Sequence, residues 1–69
     1  MKRDYKIRFY EIRMQYGLTL KQLEEKTGIS KTTLNEIENN HRSPTLETLV
    51  KVAKSLDIKV TDLFDFDYK

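Results

Sequence analysis

"TLKQLEEKTGISKTTLNEIEN", residues 19–39, ends one helix at Gly28 and starts another two residues later. Thr19 and Gln22 form the S/T-x-x-E/Q pattern of a capping box, in which each side chain satisfies a free backbone N–H of the other residue. Leu23 is the surest core contact of the helix they open, with Leu18 just outside it. Gly28 closes it after roughly two turns, because glycine takes the positive φ of a helix end without a Cβ penalty. Ser30 is placed to cap the next helix. There Leu34 and Ile37 stand three apart and point inward with Ile29, while Lys31, Thr32, Asn35 and Glu36 face outward together. Asn39 and Asn40 suit the end of that helix, since asparagine tolerates the left-handed conformation.

Two short helices joined by a tight, glycine-bearing turn cross steeply, and this is the helix-turn-helix unit. The first helix props the second away from the body, so that the second can enter the major groove of B-DNA, which is wide enough for one α-helix. Its inner face must be apolar to stay attached, and its outer face must exchange hydrogen bonds with base edges. Lys31, Thr32, Asn35 and Glu36, at i, i+1, i+4 and i+5, meet that demand. Lysine can donate to guanine O6 and N7, asparagine can pair with adenine N6 and N7, and the threonine methyl can touch a thymine methyl.

The flanking segments supply the rest of a helical domain. Tyr5, Phe9, Ile12 and Tyr16 are spaced four, three and four apart, which predicts a first helix stopped at Gly17. After the loop "HRSPT", with the chain's one proline, Pro44, Thr45 caps a fourth helix, "LETLVKVAKSL". Its expected inner stripe is Leu46, Leu49, Val50, Ala53 and Leu56, with Val52 at the edge. Glu47 lies in its first turn, where the helix dipole favours negative charge. "KVTDLF" predicts a short fifth helix. No stretch reads as a central strand, so the expected class is all-α, five helices with the helix-turn-helix at the second and third.

Sixty-nine residues predict one domain, 1–69, with a core over 5–64 and a tail over 65–69. The chain has no cysteine, hence neither a disulfide nor a thiolate zinc site. His41 is its one histidine and has no group of carboxylates around it, so neither a metal nor a cofactor is expected. Ser30 and Ser43 read as a cap and a loop residue rather than nucleophiles, and catalysis is not expected. No apolar run approaches the roughly 20 residues of a membrane span. "MKRDYKIRFYE" is basic but lacks the apolar stretch of a signal peptide, which makes the cytoplasm the expected location. Residues 1–35 hold eight Lys/Arg against four Asp/Glu, and residues 36–69 hold five against seven. A basic first half and an acidic second half suggest one face for an anionic partner and another turned away from it.

From Tyr5 to Phe64 the chain resembles the lambda-repressor-like helix-turn-helix domain of the Xre/Cro family. The resemblance is carried by "GLT", "L-x-x-x-x-GIS-x-x-x-L-x-x-IEN", "P-x-LETL" and "DLF". It implies a five-helix bundle whose second and third helices form the reading unit. It implies that Arg13 pairs with Glu38, locking the first helix to the end of the third. It implies that Lys31, Thr32 and Asn35 read bases, with Glu36 at a fourth reading position where it could accept from cytosine N4. Thr19, Thr33, Asn39, Asn40 and Arg42 match the edge that contacts the DNA backbone. Lys21, Ser30 and His41 are expected along that edge too, with helix N-termini helping to hold phosphates. The implied function is a sequence-specific double-stranded DNA-binding transcriptional regulator, bacterial or phage-encoded, repressing as a homodimer on a pseudo-palindromic operator. A different reading of the same fold is a protein–protein interaction module, antitoxin-like or an adaptor. The chain departs from the family at Leu20, often glutamine; at Glu24, usually alanine; at Asn40, usually glycine; and at Asp57, also glycine. A glutamate at position 24 must bend outward or find a cation.

Two apolar features are left over. Ile7, Tyr10 and Met14 form a second stripe on the expected first helix, either a surface for a second copy or another protein, or a surface covered by the N-terminus or the tail. The tail "LFDFDYK" alternates Phe64, Phe66 and Tyr68 with Asp65, Asp67 and Lys69. That period of two predicts an extended strand, which pairs with its copy across a two-fold axis or docks on its own core. Phe66 and Tyr68 therefore join the candidate partner surface.

Overall fold

The computed structural model describes residues 5–66. In chain order the elements are β1 (Tyr5–Ile7), α1 (Phe9–Gln15), α2 (Leu20–Thr27), α3 (Lys31–Glu38), α4 (Leu46–Leu56), a one-turn 3-10 helix (Val60–Leu63) and β2 (Phe64–Phe66). The local signals act where the sequence puts them. Thr19 and Gln22 form the reciprocal box, with Thr19 Oγ1 accepting from the Gln22 N–H at 3.1 Å and Gln22 Oε1 accepting from the Thr19 N–H at 2.8 Å. Ser30 and Thr45 cap α3 and α4 by accepting from the N–H groups of Thr33 and Thr48. Gly28 ends α2 with φ at 77°, and Asn40 turns the chain after α3 with φ at 62°.

The core is one cluster: Phe9 and Ile12 from α1, Leu23 from α2, Leu34 and Ile37 from α3, Val52, Ala53 and Leu56 from α4, and Leu63. Val52 lies inside rather than at the edge, and Leu46 is 70% exposed rather than part of the inner stripe. The buried ridge of α4 is Val52, Ala53 and Leu56, at i, i+1 and i+4 in its second half, so Leu46, in the first turn, overhangs the end of the core.

Three sequence expectations are corrected. The first helix starts at Phe9, so Tyr5 and Ile7 are strand residues. The predicted fifth helix is a single 3-10 turn, anchored by Leu63 in the core and by the Lys59 N–H donating to Asp62 Oδ2 at 3.1 Å. The expected all-helical architecture also carries a small antiparallel sheet, β1 on β2, in register Tyr5 with Phe66, Lys6 with Asp65 and Ile7 with Phe64. The Arg8 N–H donates to the Leu63 carbonyl at 2.8 Å, continuing that pairing into the start of α1. Each strand alternates apolar with charged residues, and opposite charges on Lys6 and Asp65 meet across the ladder. Tyr5, Ile7 and Phe64 share a shallow cleft of about 220 Å³ with Pro44 and Leu49. No helix among the described residues is long and apolar enough to cross a membrane.

Asp57 closes α4 in the left-handed region at φ 55°, a conformation that costs a residue with a Cβ about 1–2 kcal/mol. Its negative charge also sits at the negative end of the helix dipole. Asp57→Gly is therefore expected to raise stability by about 0.5–1 kcal/mol, net of glycine's extra unfolded-state entropy, seen as a higher urea midpoint with an unchanged slope.

Candidate nucleic-acid interface

The turn between α2 and α3 is tied by side chains as well as by Gly28. The Thr27 hydroxyl donates to the Leu23 carbonyl at 2.8 Å and accepts from the Ile29 N–H at 3.1 Å, while Ile29 packs on the core. Glu24 finds a partner that is neither water nor a cation. Its carboxylate accepts from the Lys31 backbone N–H at 3.0 Å, at the positive end of α3. Ser30 and Glu24 together satisfy two of the free N–H groups that open α3.

Leu34 and Ile37 hold α3 down, and the opposite side of that helix is open. Lys31, Thr32 and Asn35 are exposed, and they share a concavity of about 470 Å³ with Thr19, Leu20 and Lys21 from the start of α2. Three of the four sequence-derived reading residues and two of the backbone-edge residues are thus gathered around one depression. Glu36 stands apart. It is half-buried, and its carboxylate accepts from Arg42 Nε at 3.0 Å and lies 3.0 Å from Arg42 Nη2. Asn39 Nδ2 donates to Asn35 Oδ1 at 3.1 Å, which fixes the side-chain amide of Asn35 and leaves its NH₂ group and a second oxygen lone pair for a ligand.

The remaining edge residues form two groups flanking this ridge. Ser30 and Thr33 sit at the start of α3, with their hydroxyls 2.9 Å apart and both committed to the cap. Asn39, Asn40, His41 and Arg42 follow its end, all exposed, with the His41 N–H bonded to the Glu36 carbonyl at 2.8 Å. Sequence reading missed Leu20 as a lining residue. The available signal was an aliphatic side chain directly after the Thr19 cap, three residues before Leu23 and at the margin of the inner stripe.

Arg13 and Glu38 meet in a two-pronged ion pair, Nε to Oε2 at 2.8 Å and Nη2 to Oε1 at 3.0 Å. Their side chains are only 11% and 5% exposed. Arg13 Nη1 also donates to the Leu18 carbonyl at 2.9 Å, so one guanidinium joins α1, the loop before α2 and the end of α3. The hydrogen bonds that Arg13 donates to Glu38 push its pKa above its ordinary value despite burial. Tyr10 lies with its ring centroid 5.4 Å from that guanidinium. Of the proposed partner stripe, Tyr10 and Met14 are 55% and 54% exposed, whereas Ile7 belongs to β1 and packs half-buried against the core. The stripe therefore does not run along one helix. The Phe66 backbone pairs with Tyr5, and Tyr68 lies outside the described residues.

Comparison with known proteins gives a consistent neighbourhood. The helix-turn-helix family HTH_3 matches residues 9–63. The HTH-type transcriptional regulator SutR of Escherichia coli is 46% identical over 48 residues, which cover 70% of this chain and 27% of SutR. Antitoxin HipB of Escherichia coli is 38% identical over 50 residues, 72% of this chain and 57% of HipB. The chain thus spans about a quarter of one of these relatives and just over half of the other. Among solved structures, the N-terminal DNA binding domain of SinR from Bacillus subtilis superposes with a TM-score of 0.77 at 35% identity, covering 90% of this chain and 91% of that one.

Truncating Arg13 would leave the shielded Glu38 carboxylate without its cation and the Leu18 carbonyl without its donor. Arg13→Met is expected to cost about 3 kcal/mol, and Arg13→Met with Glu38→Gln clearly less, as read from urea unfolding followed by circular dichroism.

Proposed function

This chain belongs to the helix-turn-helix family, and on that premise we propose that it is a sequence-specific double-stranded DNA-binding transcriptional regulator. We infer that it represses as a homodimer on a pseudo-palindromic operator, with half-sites about one helical turn apart. One observation carries the reading. The exposed face of α3 places Lys31, Thr32 and Asn35 beside the capped start of α2, on the side of the helix opposite Leu34 and Ile37. In that arrangement α3 enters the major groove, Lys31 and Thr32 meet bases near its N-terminus, and Asn35 presents a pre-oriented amide to adenine. Thr19 and Lys21 on one side and Asn40, His41 and Arg42 on the other take the phosphates of the flanking strands. Glu36 serves as the anchor of Arg42 rather than as a reader, because its carboxylate is already engaged.

The likeness to an antitoxin and the exposure of Tyr10 and Met14 favour a second reading, a module whose main partner is a protein. The two separate in a salt titration. A DNA-binding face weakens steeply with added salt, and an adaptor has no DNA affinity to weaken.

A duplex selected from a random pool provides the substrate for the mutants. Asn35→Ala should lose roughly 1–3 kcal/mol on that duplex and accept any base at one position. Equal loss on random DNA would remove Asn35 from the reading set. Arg42→Ala should weaken all sequences alike. Glu36→Gln should leave the preference at every base position unchanged, since its carboxylate is held by Arg42 rather than offered to a base.

A further inference from the structure

Six side chains line the concavity between α2 and α3, and five of them are polar or charged: Thr19, Lys21, Lys31, Thr32 and Asn35. Leu20 is the exception. It is half-buried, one side packed against the core cluster and the rest open to the concavity. An isobutyl group neither donates nor accepts a hydrogen bond. Pressed against a polar base edge, it would strip water from that edge and offer nothing in return. The major-groove floor carries one apolar group, the C5-methyl of thymine, among its nitrogen and oxygen donors and acceptors. Asn35, whose amide is bonded to Asn39, lines the same depression, so the base it takes and the group opposite Leu20 are neighbours.

We propose that Leu20 is a specificity-determining residue that contacts the C5-methyl group of a thymine beside the base read by Asn35. Cytosine at that position would turn its amino group toward the leucine and is disfavoured. The contact rests on the base-reading role proposed for α3.

The test uses the duplex that the wild-type protein selects from a random pool, with each thymine exchanged in turn for deoxyuridine. The exchange deletes one methyl group and keeps every hydrogen-bonding atom. Binding is measured at low salt, where phosphate contacts keep folded variants on the DNA. At one thymine position the wild-type protein should weaken about fourfold, the factor that burial of one methyl group supplies. Leu20→Ala and Leu20→Gln should bind the thymine and deoxyuridine duplexes equally at that position. Leu20→Gln keeps its stem on the core and carries the comparison if Leu20→Ala unfolds, which circular dichroism reports. A preferred duplex with no position sensitive to the exchange overturns the Leu20 contact and leaves the DNA reading standing. So does an equal loss for wild type and both variants, which would move the methyl contact to another group such as Thr32. Selection that yields no preferred duplex overturns base reading by α3 and the thymine contact together.

Discussion

Arg13 and Glu38 hold the far end of α3 against α1, and the orientation of that helix depends on the pair. An eight-residue helix is too short to persist alone and buries only two large side chains, Leu34 and Ile37. Two apolar anchors three residues apart fix the helix to the core but leave it free to roll. The ion pair at Glu38 and the carboxylate of Glu24 at Lys31 fix its two ends. Each lock uses a charge in a place where its desolvation is offset by directed hydrogen bonds, and each joins α3 to a different helix.

That rigidity is what makes the outer face of α3 suited to recognition. Orientation fixed before binding need not be ordered at the moment of contact, which spares a small interface part of its entropic cost. The same economy extends to the side chains. Asn39 holds the amide of Asn35, and Glu36 holds the guanidinium of Arg42, so the C-terminal half of the ridge is pre-set. Lys31 and Thr32, at the N-terminal half, are exposed. The ridge therefore joins an ordered portion to an adaptable one, and Leu20 adds an aliphatic margin to an otherwise polar depression.

The sheet solves a different problem. Four short α-helices leave the first and last parts of a small chain with little to pack on. Pairing β1 with β2 joins segments roughly 60 residues apart in the chain, and Phe9, shortly after β1, and Leu63, just before β2, both enter the core. Backbone groups that α1 would otherwise leave open at its start are met in part by the Leu63 carbonyl. The cleft of Tyr5, Ile7, Pro44, Leu49 and Phe64 lies at this closure, among residues outside the proposed reading face.

The sequence by itself determined the helix boundaries from Gly17 to Asp57, since caps such as Thr19, Ser30 and Thr45 and stops such as Gly28 act over three or four residues. It also determined which side of α3 is wet, because Leu34 and Ile37 leave only one side for Lys31, Thr32 and Asn35. Tertiary structure alone decided what lies far apart in the chain. Tyr5 and Ile7 carry a helical spacing, yet become a strand because Phe64 and Phe66 arrive to pair with them. Leu46 fits the apolar stripe of α4, yet stays in water because the fully buried residues of that helix begin only at Val52. Glu24 has its partner only once α3 is positioned, Glu36 is withdrawn from the ridge only once the chain turns back at Asn40 to bring Arg42 near, and Leu20 joins Asn35 only across the α2–α3 crossing. Caps and periodicity are local and legible in order along the chain, whereas pairings between distant residues depend on a geometry that no short window of sequence contains.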